Sequence, residues 1–165
     1  MLFGGDYADW AQMDAEVIYP HRDLTERIIG AAFDVHNELG AGFVEKVYEN
    51  ALAIELRKRG LVVEQQKPVR VEYQGESVGE FVADLVVNGT VLVEIKSVKT
   101  LTLEYESKLI HYLKATGVEV GLLVNFGSPK LEFKRCHWDH QGLQMQGQEG
   151  EDGRAKQDGQ DRQDG

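Results

Sequence analysis

Cysteine, proline and long apolar runs are scarce in this chain of 165 residues, which has one cysteine and three prolines. A single cysteine excludes a disulfide scaffold and any zinc site that is built on a cluster of cysteines. No apolar run approaches the roughly 18 residues that span a bilayer, and the first residues lack the basic and apolar regions of a signal peptide. We therefore expect a cytoplasmic protein with no membrane partner.

Charge is the second property that bears on function. The chain has 28 acidic residues against 18 lysines and arginines, which gives a formal net charge of −10. An acidic total of this size argues against tight binding of phosphate. The excess lies at the ends, however: residues 1–23 carry −4 and residues 141–165 carry −3, which leaves −3 for residues 24–140. A nucleic-acid partner for this central part is therefore not excluded.

Composition divides the chain into three parts. Residues 141–165 consist almost entirely of Gln, Gly, Asp, Glu and Arg. This composition predicts a disordered acidic tail, because so little apolar surface is available for burial. Residues 1–22 have no clear hydrophobic period and are interpreted as a weakly ordered extension. Residues 23–140 carry the periodic patterns of one folded domain.

The central part predicts helices and strands in an order that is typical of an α/β domain. Apolar residues at helical spacing predict a first helix that begins with Asp23 as its N-cap and ends at Gly40. β-Branched residues and turn signals predict several strands, with a break at Pro68. The further predicted elements are a helix over residues 43–59, strands over residues 61–65, 69–73, 77–87 and 90–98, a helix over residues 104–116, and strands over residues 118–125 and 131–138. This order favours a mixed sheet between helical layers.

Three charged residues interrupt two of the apolar predicted strands. Asp84 lies in one strand, and Glu94 and Lys96 lie in the next. A charge that is buried without a partner is strongly destabilising, so such residues are normally paired, protonated or bound to a metal. The plainer interpretation is that Glu94 and Lys96 face solvent on an edge strand and that Asp84 lies at a strand end.

The length of the loop at the Asn-Gly pair decides between these interpretations, and the sequence allows either length. A two-residue loop places Asp84 opposite Val93 and turns Glu94 to the other face of the sheet. A three-residue loop places Asp84 opposite Leu92, and Asp84, Glu94 and Lys96 then share one face. Only the three-residue loop predicts a metal site.

The step from Asp84 to the Glu-Ile-Lys run at residues 94–96 resembles the D…(D/E)-x-K signature of the restriction-endonuclease-like, or PD-(D/E)XK, nuclease superfamily. The resemblance is closer to one branch, the GxxExxY proteins, whose motif stands here as Gly-Phe-Val-Glu-Lys-Val-Tyr at residues 42–48. The likeness covers about residues 24–138. It implies an α/β fold with a restriction-endonuclease-like three-layer core, in which helices flank a mixed central β-sheet. It also implies a nuclease that hydrolyses phosphodiester bonds of DNA or RNA.

The resemblance also implies roles for individual residues. Asp84 and Glu94 match the metal-binding acids of the superfamily, and Lys96 matches its catalytic lysine. Glu45 matches the glutamate that often completes the metal site. Tyr48 lies three residues after Glu45 on the same helical face, where its hydroxyl would orient the Glu45 carboxylate. The implied cofactor is Mg²⁺ or Mn²⁺, because these cations prefer carboxylate, carbonyl and water oxygens.

Lys108, Tyr112 and His36 are supporting candidates. Relatives commonly carry Gln-x-x-x-Tyr in the late helix, whereas here Lys108 precedes Tyr112 by four; a lysine contacts phosphate but cannot accept a hydrogen bond as an amide does. His36, on the first helix, is interpreted as a hydrogen-bonding residue, with a catalytic role as the alternative. Lys108 favours a second hypothesis, in which the domain binds nucleic acid or a protein partner and catalyses weakly. A homodimer stays open, because small nucleases often need two subunits to cut both strands.

Overall fold

The computed structural model describes residues 20–139. The predicted N-terminal extension lies outside the described residues except for residues 20–22, and the predicted tail lies outside them entirely. The described chain forms α1 (Arg22–Leu39), α2 (Glu45–Lys58), β1 (Val63–Tyr73), β2 (Glu76–Val87), β3 (Val91–Lys96), α3 (Leu103–Thr116), β4 (Val120–Asn125) and β5 (Glu132–His137). Within it, no helix is both long and apolar enough to cross a membrane.

Helix α1 differs from its prediction at the first residue and agrees with it at the last. It begins at Arg22 with His21 as N-cap, so the prediction of Asp23 as N-cap is wrong. Asp23 lies in the first turn, where its carboxylate faces the positive end of the helix dipole. The predicted stop is confirmed, because Gly40 follows the helix with φ 69°, a conformation that glycine adopts without strain.

The five strands form one mixed sheet in the order β1-β2-β3-β4-β5. Strands β3 and β4 run parallel, and the other neighbouring pairs are antiparallel. Helices α1 and α2 cover one face, in a cluster that includes Val93 and Leu122. Helix α3 covers the other face, in a cluster that includes Leu92 and Leu123. The predicted three-layer core with a mixed central sheet is therefore confirmed.

Strand β1 is continuous, so the predicted break at Pro68 is wrong. The strand runs through Pro68, which lies opposite Val82 of β2. Proline lacks the N–H through which a residue of a central strand bonds to its neighbour. Among the described residues, however, β1 lies at the edge of the sheet and has a neighbouring strand on one side only. The pairing with β2 therefore keeps the chain extended at Pro68, although proline often marks a turn.

The hairpin of β1 and β2 changes its facing halfway along. Leu85 packs in the cluster of α1 and α2, whereas Ala83 packs in the cluster of α3. Residues two apart in a regular strand share a face, so the change must occur at Asp84. Opposite Asp84 on β1 is Gln66, which has φ 51° and is skipped by the ladder between the two strands. This irregular step lies at Asp84, where β2 meets Ile95 of β3.

The loop between β2 and β3 has three residues. Asn88 and Gly89 both have positive φ, and the ladder resumes with Val87 opposite Val91. The two-residue alternative is therefore wrong. The register of the three-residue alternative is wrong by two residues, because continuing the observed pairing puts Asp84 opposite Glu94 rather than opposite Leu92.

Candidate active site

The candidate site begins where β2 and β3 separate. Their last ladder pair in this direction is Leu85 with Val93. Beyond it the half-buried Asp84 side chain replaces the strand backbone as the partner of β3, because Asp84 Oδ2 accepts a hydrogen bond from Ile95 N at 2.8 Å. The carboxylate is thus fixed at the point where the two strands part.

Glu94 lies next to Asp84 on the face that α3 covers. Its neighbour two residues earlier, Leu92, packs in the α3 cluster, whereas Ile95 packs against α1 and α2. Burial raises the pKa of the Glu94 carboxyl group to about 8, and the charge of Asp84, within hydrogen-bonding reach, adds to the rise. Glu94 Oε1 is buried and has no hydrogen-bond partner among the described residues. The two carboxyl groups are therefore crowded, and one of their oxygens is unsatisfied.

Lys96 completes this group from the end of β3. Its positive charge lowers the pKa of Glu94, against the effects of burial and of Asp84. Its ammonium nitrogen lies 4.9 Å from the centre of the Tyr105 ring on α3, a cation–π distance that limits where the side chain can point. Asp84, Glu94 and Lys96 are thus brought together, as the resemblance implies.

Glu45 is not part of this group. It is the first residue of α2 and is exposed, and the charged residues that act on Glu94 are Asp84 and Lys96. The expectation that Glu45 joins the two acids is therefore not met. The acid of α2 that points into the molecule is Glu49, one helical turn later, whose exposed fraction is 4%.

Tyr48 also differs from its expected role. Its hydroxyl donates to the Gly40 carbonyl oxygen and accepts from Phe43 N at 3.2 Å. The ring stacks on Phe126, with 4.6 Å between ring centroids. Tyr48 therefore holds the turn between α1 and α2 and does not orient Glu45.

Two residues that the sequence analysis missed connect α2 to the site. Gln66 Nε2 donates to Glu49 Oε2 at 2.9 Å and to Asp84 Oδ1 at 3.3 Å. Glu49 shares the signal that drew attention to Asp84 and Glu94, an acid among apolar residues, because it precedes Leu52 by three on the buried face of α2. Gln66 offers no comparable signal, since its contacts depend on the φ of 51°.

The remaining candidates are Lys108, Tyr112 and His36. The Lys108 ammonium is 5.8 Å from the centre of the Tyr112 ring, and Tyr112 stacks on Phe81 with 3.7 Å between centroids. Lys108 is exposed and lies three residues after Tyr105, so it is on the face of α3 that carries the contact with Lys96.

His36 is buried, and its Nε2 lies 3.0 Å from the Ser128 carbonyl oxygen. This contact favours the hydrogen-bonding interpretation of His36 over the catalytic one.

The residues present fit a hard divalent cation. Asp84 and Glu94 offer carboxylate oxygens, and Glu94 Oε1 lacks any other partner within the described chain. Residues 20–139 contain no group of three or more His, Cys, Asp or Glu side chains that would hold a metal by themselves. Mg²⁺ does not need such a group, because it usually binds one or two carboxylates and keeps several waters.

The domain has a mixed sheet between two helical layers, and two acids and a lysine lie together where the central strands part. This is the arrangement of a nuclease domain of the restriction-endonuclease-like class. A family model described as the PD-(D/E)XK nuclease superfamily matches residues 22–136. The chain belongs to this superfamily, whose members generally use divalent metals.

Comparisons with individual proteins add distant likenesses. A search of the curated proteins found no match. The crystal structure of SSO0001 is similar at 14% identity and a TM-score of 0.47, over 82% of this chain and 69% of that chain. The crystal structure of an alkaline exonuclease (LHK-Exo) from Laribacter hongkongensis is similar at 15% identity and a TM-score of 0.39, over 78% of this chain and 77% of that chain.

Proposed function

We propose that this protein is a metal-dependent nuclease of the GxxExxY branch, which hydrolyses phosphodiester bonds of DNA or RNA with Mg²⁺ or Mn²⁺. The observation that carries the proposal is the Glu94 carboxyl group, which is buried beside Asp84 and Lys96 and has one oxygen without a partner. Such a group destabilises the folded protein, so it usually has a function. Membership of the nuclease superfamily supports phosphodiester hydrolysis as that function.

In this proposal Asp84 and Glu94 hold the cation. When bound, the cation supplies a water of lowered pKa and neutralises charge on the phosphate. The Ile95 N–H keeps the Asp84 carboxylate in place, so the ligand set needs little rearrangement. Lys96 orients the attacking water or stabilises the negative charge that develops on the phosphate oxygens.

A second function is supported by two departures from the expected site. Glu45 is exposed and forms no metal-holding group with Asp84 and Glu94 among the described residues, and Lys108 stands where relatives commonly carry glutamine. A site with fewer ligands and an altered phosphate contact suits a domain that binds nucleic acid, or a protein partner, and catalyses weakly. Binding without cleavage distinguishes this alternative from the nuclease.

Cleavage of plasmid, linear and single-stranded DNA and of RNA, with Mg²⁺ or Mn²⁺ and with EDTA, tests the proposal. We expect cleavage only with the cation, and a loss of about 100-fold in Lys96→Ala, because a charge-stabilising group is removed. Lys99→Ala is the matched control, because this substitution removes the same charge from an exposed residue three positions away.

Equal activity of Lys96→Ala and Lys99→Ala would contradict the role of Lys96. Retention of nucleic acid in a gel-shift assay without any cleavage would support the binding module instead. A rate of double-strand cutting that rises with the square of the protein concentration would support a homodimer.

A further inference from the structure

Gln66 has a backbone conformation that needs an explanation. It has φ 51° in the middle of a strand, a region that residues with a side chain adopt only with steric strain. The ladder with β2 pairs the residues on both sides of it, Gln65 and Lys67, and skips Gln66. The protein therefore gives up regular pairing at this position, next to the proposed site.

The unusual conformation makes one particular set of contacts available. In a regular strand, successive side chains point to opposite faces, so only one of Gln65 and Gln66 could reach α2. Here both do: Gln65 Nε2 donates to Glu49 Oε1 at 3.2 Å, and Gln66 Nε2 donates to Glu49 Oε2 at 2.9 Å. Gln66 alone continues to Asp84, at 3.3 Å from Oδ1.

The chemistry of the bridge fixes its orientation. Both partners of the Gln66 amide are carboxylates, which accept hydrogen bonds, so the amide must present its two N–H groups to them. Glu49 is buried and receives a further hydrogen bond from Lys46 Nζ at 3.1 Å, so it provides a fixed anchor. Asp84 is then held on both oxygens, Oδ1 by Gln66 and Oδ2 by Ile95 N.

We propose that Gln66 is a positioning residue, which, anchored by Glu49, orients the Asp84 carboxylate for cation binding. The inference rests on the proposed function and deepens it. Gln66 does not touch the nucleic acid or the cation in this proposal, and it acts only through Asp84. Residues of this kind, behind a metal ligand, typically change metal affinity or activity by 10- to 100-fold when they are replaced.

The test compares Gln66→Ala and Gln66→Gly with the matched control Gln65→Ala, in the full chain. Gln65 is the same residue type, it is adjacent, and it also donates to Glu49, but the second acceptor of its amide is Asn50 Oδ1 and not Asp84. Four quantities are measured: the Kd for Mn²⁺ alone by calorimetry, kcat and KM for nucleic-acid cleavage, and the melting temperature without cation.

We expect the Mn²⁺ Kd to rise about 10-fold or more in both Gln66 variants and less than about twofold in Gln65→Ala. In the Gln66 variants kcat should fall while KM for nucleic acid is unchanged. Gln66→Gly should melt no lower than Gln66→Ala, because glycine accepts the positive φ. A variant that binds the cation weakly but melts at the same temperature as the wild type has lost the positioning of Asp84 and not its folded structure. Glu49→Gln should weaken Mn²⁺ binding in the same direction, because its amide is a poorer acceptor.

The inference is overturned if the Gln66 variants bind Mn²⁺ as tightly as the wild type does, or if Gln65→Ala loses as much affinity. It is also overturned if the Gln66 variants lose affinity only in proportion to a fall in melting temperature. A wild-type protein that neither binds Mn²⁺ nor cleaves nucleic acid would overturn the proposed function itself, and that result differs from a working wild type with unaffected Gln66 variants.

Discussion

The Glu94 carboxyl group has a raised pKa, because it is buried next to the charge of Asp84. Burial raises its folded-state pKa from 4.5 to about 8, and the Asp84 charge adds to the rise. The native state therefore keeps a proton that the unfolded chain releases at lower pH. The stability that this proton confers is complete below about pH 4.5 and is lost as the pH rises through about 8.

We accordingly expect the cation-free protein to lose roughly 4 kcal/mol of unfolding free energy between pH 5 and pH 8.5 because of this group. Urea unfolding in EDTA across this range measures the loss. Glu94→Gln should flatten the profile, since its amide stays neutral at every pH. Parallel profiles for the wild type and Glu94→Gln would show that Glu94 ionises normally and would contradict the raised pKa.

At the scale of elements, the segment that follows Lys96 is held by a buried side chain of the next strand. Asn125 lies opposite Lys96 in the parallel pair of β3 and β4. Its Oδ1 accepts from Val98 N at 2.9 Å and from Gly127 N at 3.0 Å, and its Nδ2 donates to the Val98 carbonyl at 2.9 Å. Asn125 therefore fixes the backbone just beyond the proposed catalytic lysine.

Asn125→Asp should lower the unfolding free energy by about 3 kcal/mol or more, because the carboxylate cannot donate and adds a buried charge. The loss should be larger at high pH, since Glu132 Oε2 accepts from the same Nδ2 at 3.1 Å and would face the new carboxylate. Asn37→Asp on the exposed surface of α1 makes the same charge change and should cost less than about 0.5 kcal/mol. Similar losses in the two variants, measured by urea unfolding, would contradict this role for Asn125.

The elements were largely predictable from sequence, because periodic apolar residues report which face of a helix or strand is buried. The same signal identified Asp84 and Glu94 as acids in apolar strands. It does not report hydrogen-bond partners, so Glu45 was expected at the site on the strength of a motif, while Glu49 was passed over. The conformation of Gln66 and the three-residue loop depend on pairing between strands, which one sequence does not display.

At the scale of the whole molecule, the sheet separates two apolar clusters, and the site lies where that sheet opens. The cluster of α1 and α2 fixes Ile95 from one side, and the cluster of α3 fixes Leu92 from the other. Glu94 lies between these two residues along β3, so its carboxyl group is held in place by both layers. The crowding of charge is therefore sustained by the packing of the complete domain.

Cation binding should consequently stabilise the whole fold. A cation at ten times its Kd raises the unfolding free energy by about 1.4 kcal/mol, because it binds the native state only. Asp84→Asn removes one of the two crowded charges and keeps an oxygen that can accept from Ile95 N. It loses the acceptor of the long hydrogen bond from Gln66 Nε2, at 3.3 Å, and we expect the relief of charge repulsion to outweigh that loss. We expect this variant to melt at least as high as the wild type without cation at pH 8, and to gain much less from Mn²⁺.

Asp23→Asn provides the comparison, because it removes the same charge from an exposed residue in the first turn of α1, outside β2 and β3. Its response to Mn²⁺ in thermal-shift measurements should equal that of the wild type. A higher melting temperature without cation, together with a smaller response to cation, is expected only where the replaced carboxylate is both repelled by a neighbour and used as a ligand. An Mn²⁺ response of Asp84→Asn equal to that of the wild type would exclude Asp84 as a ligand and would favour the binding module over the nuclease.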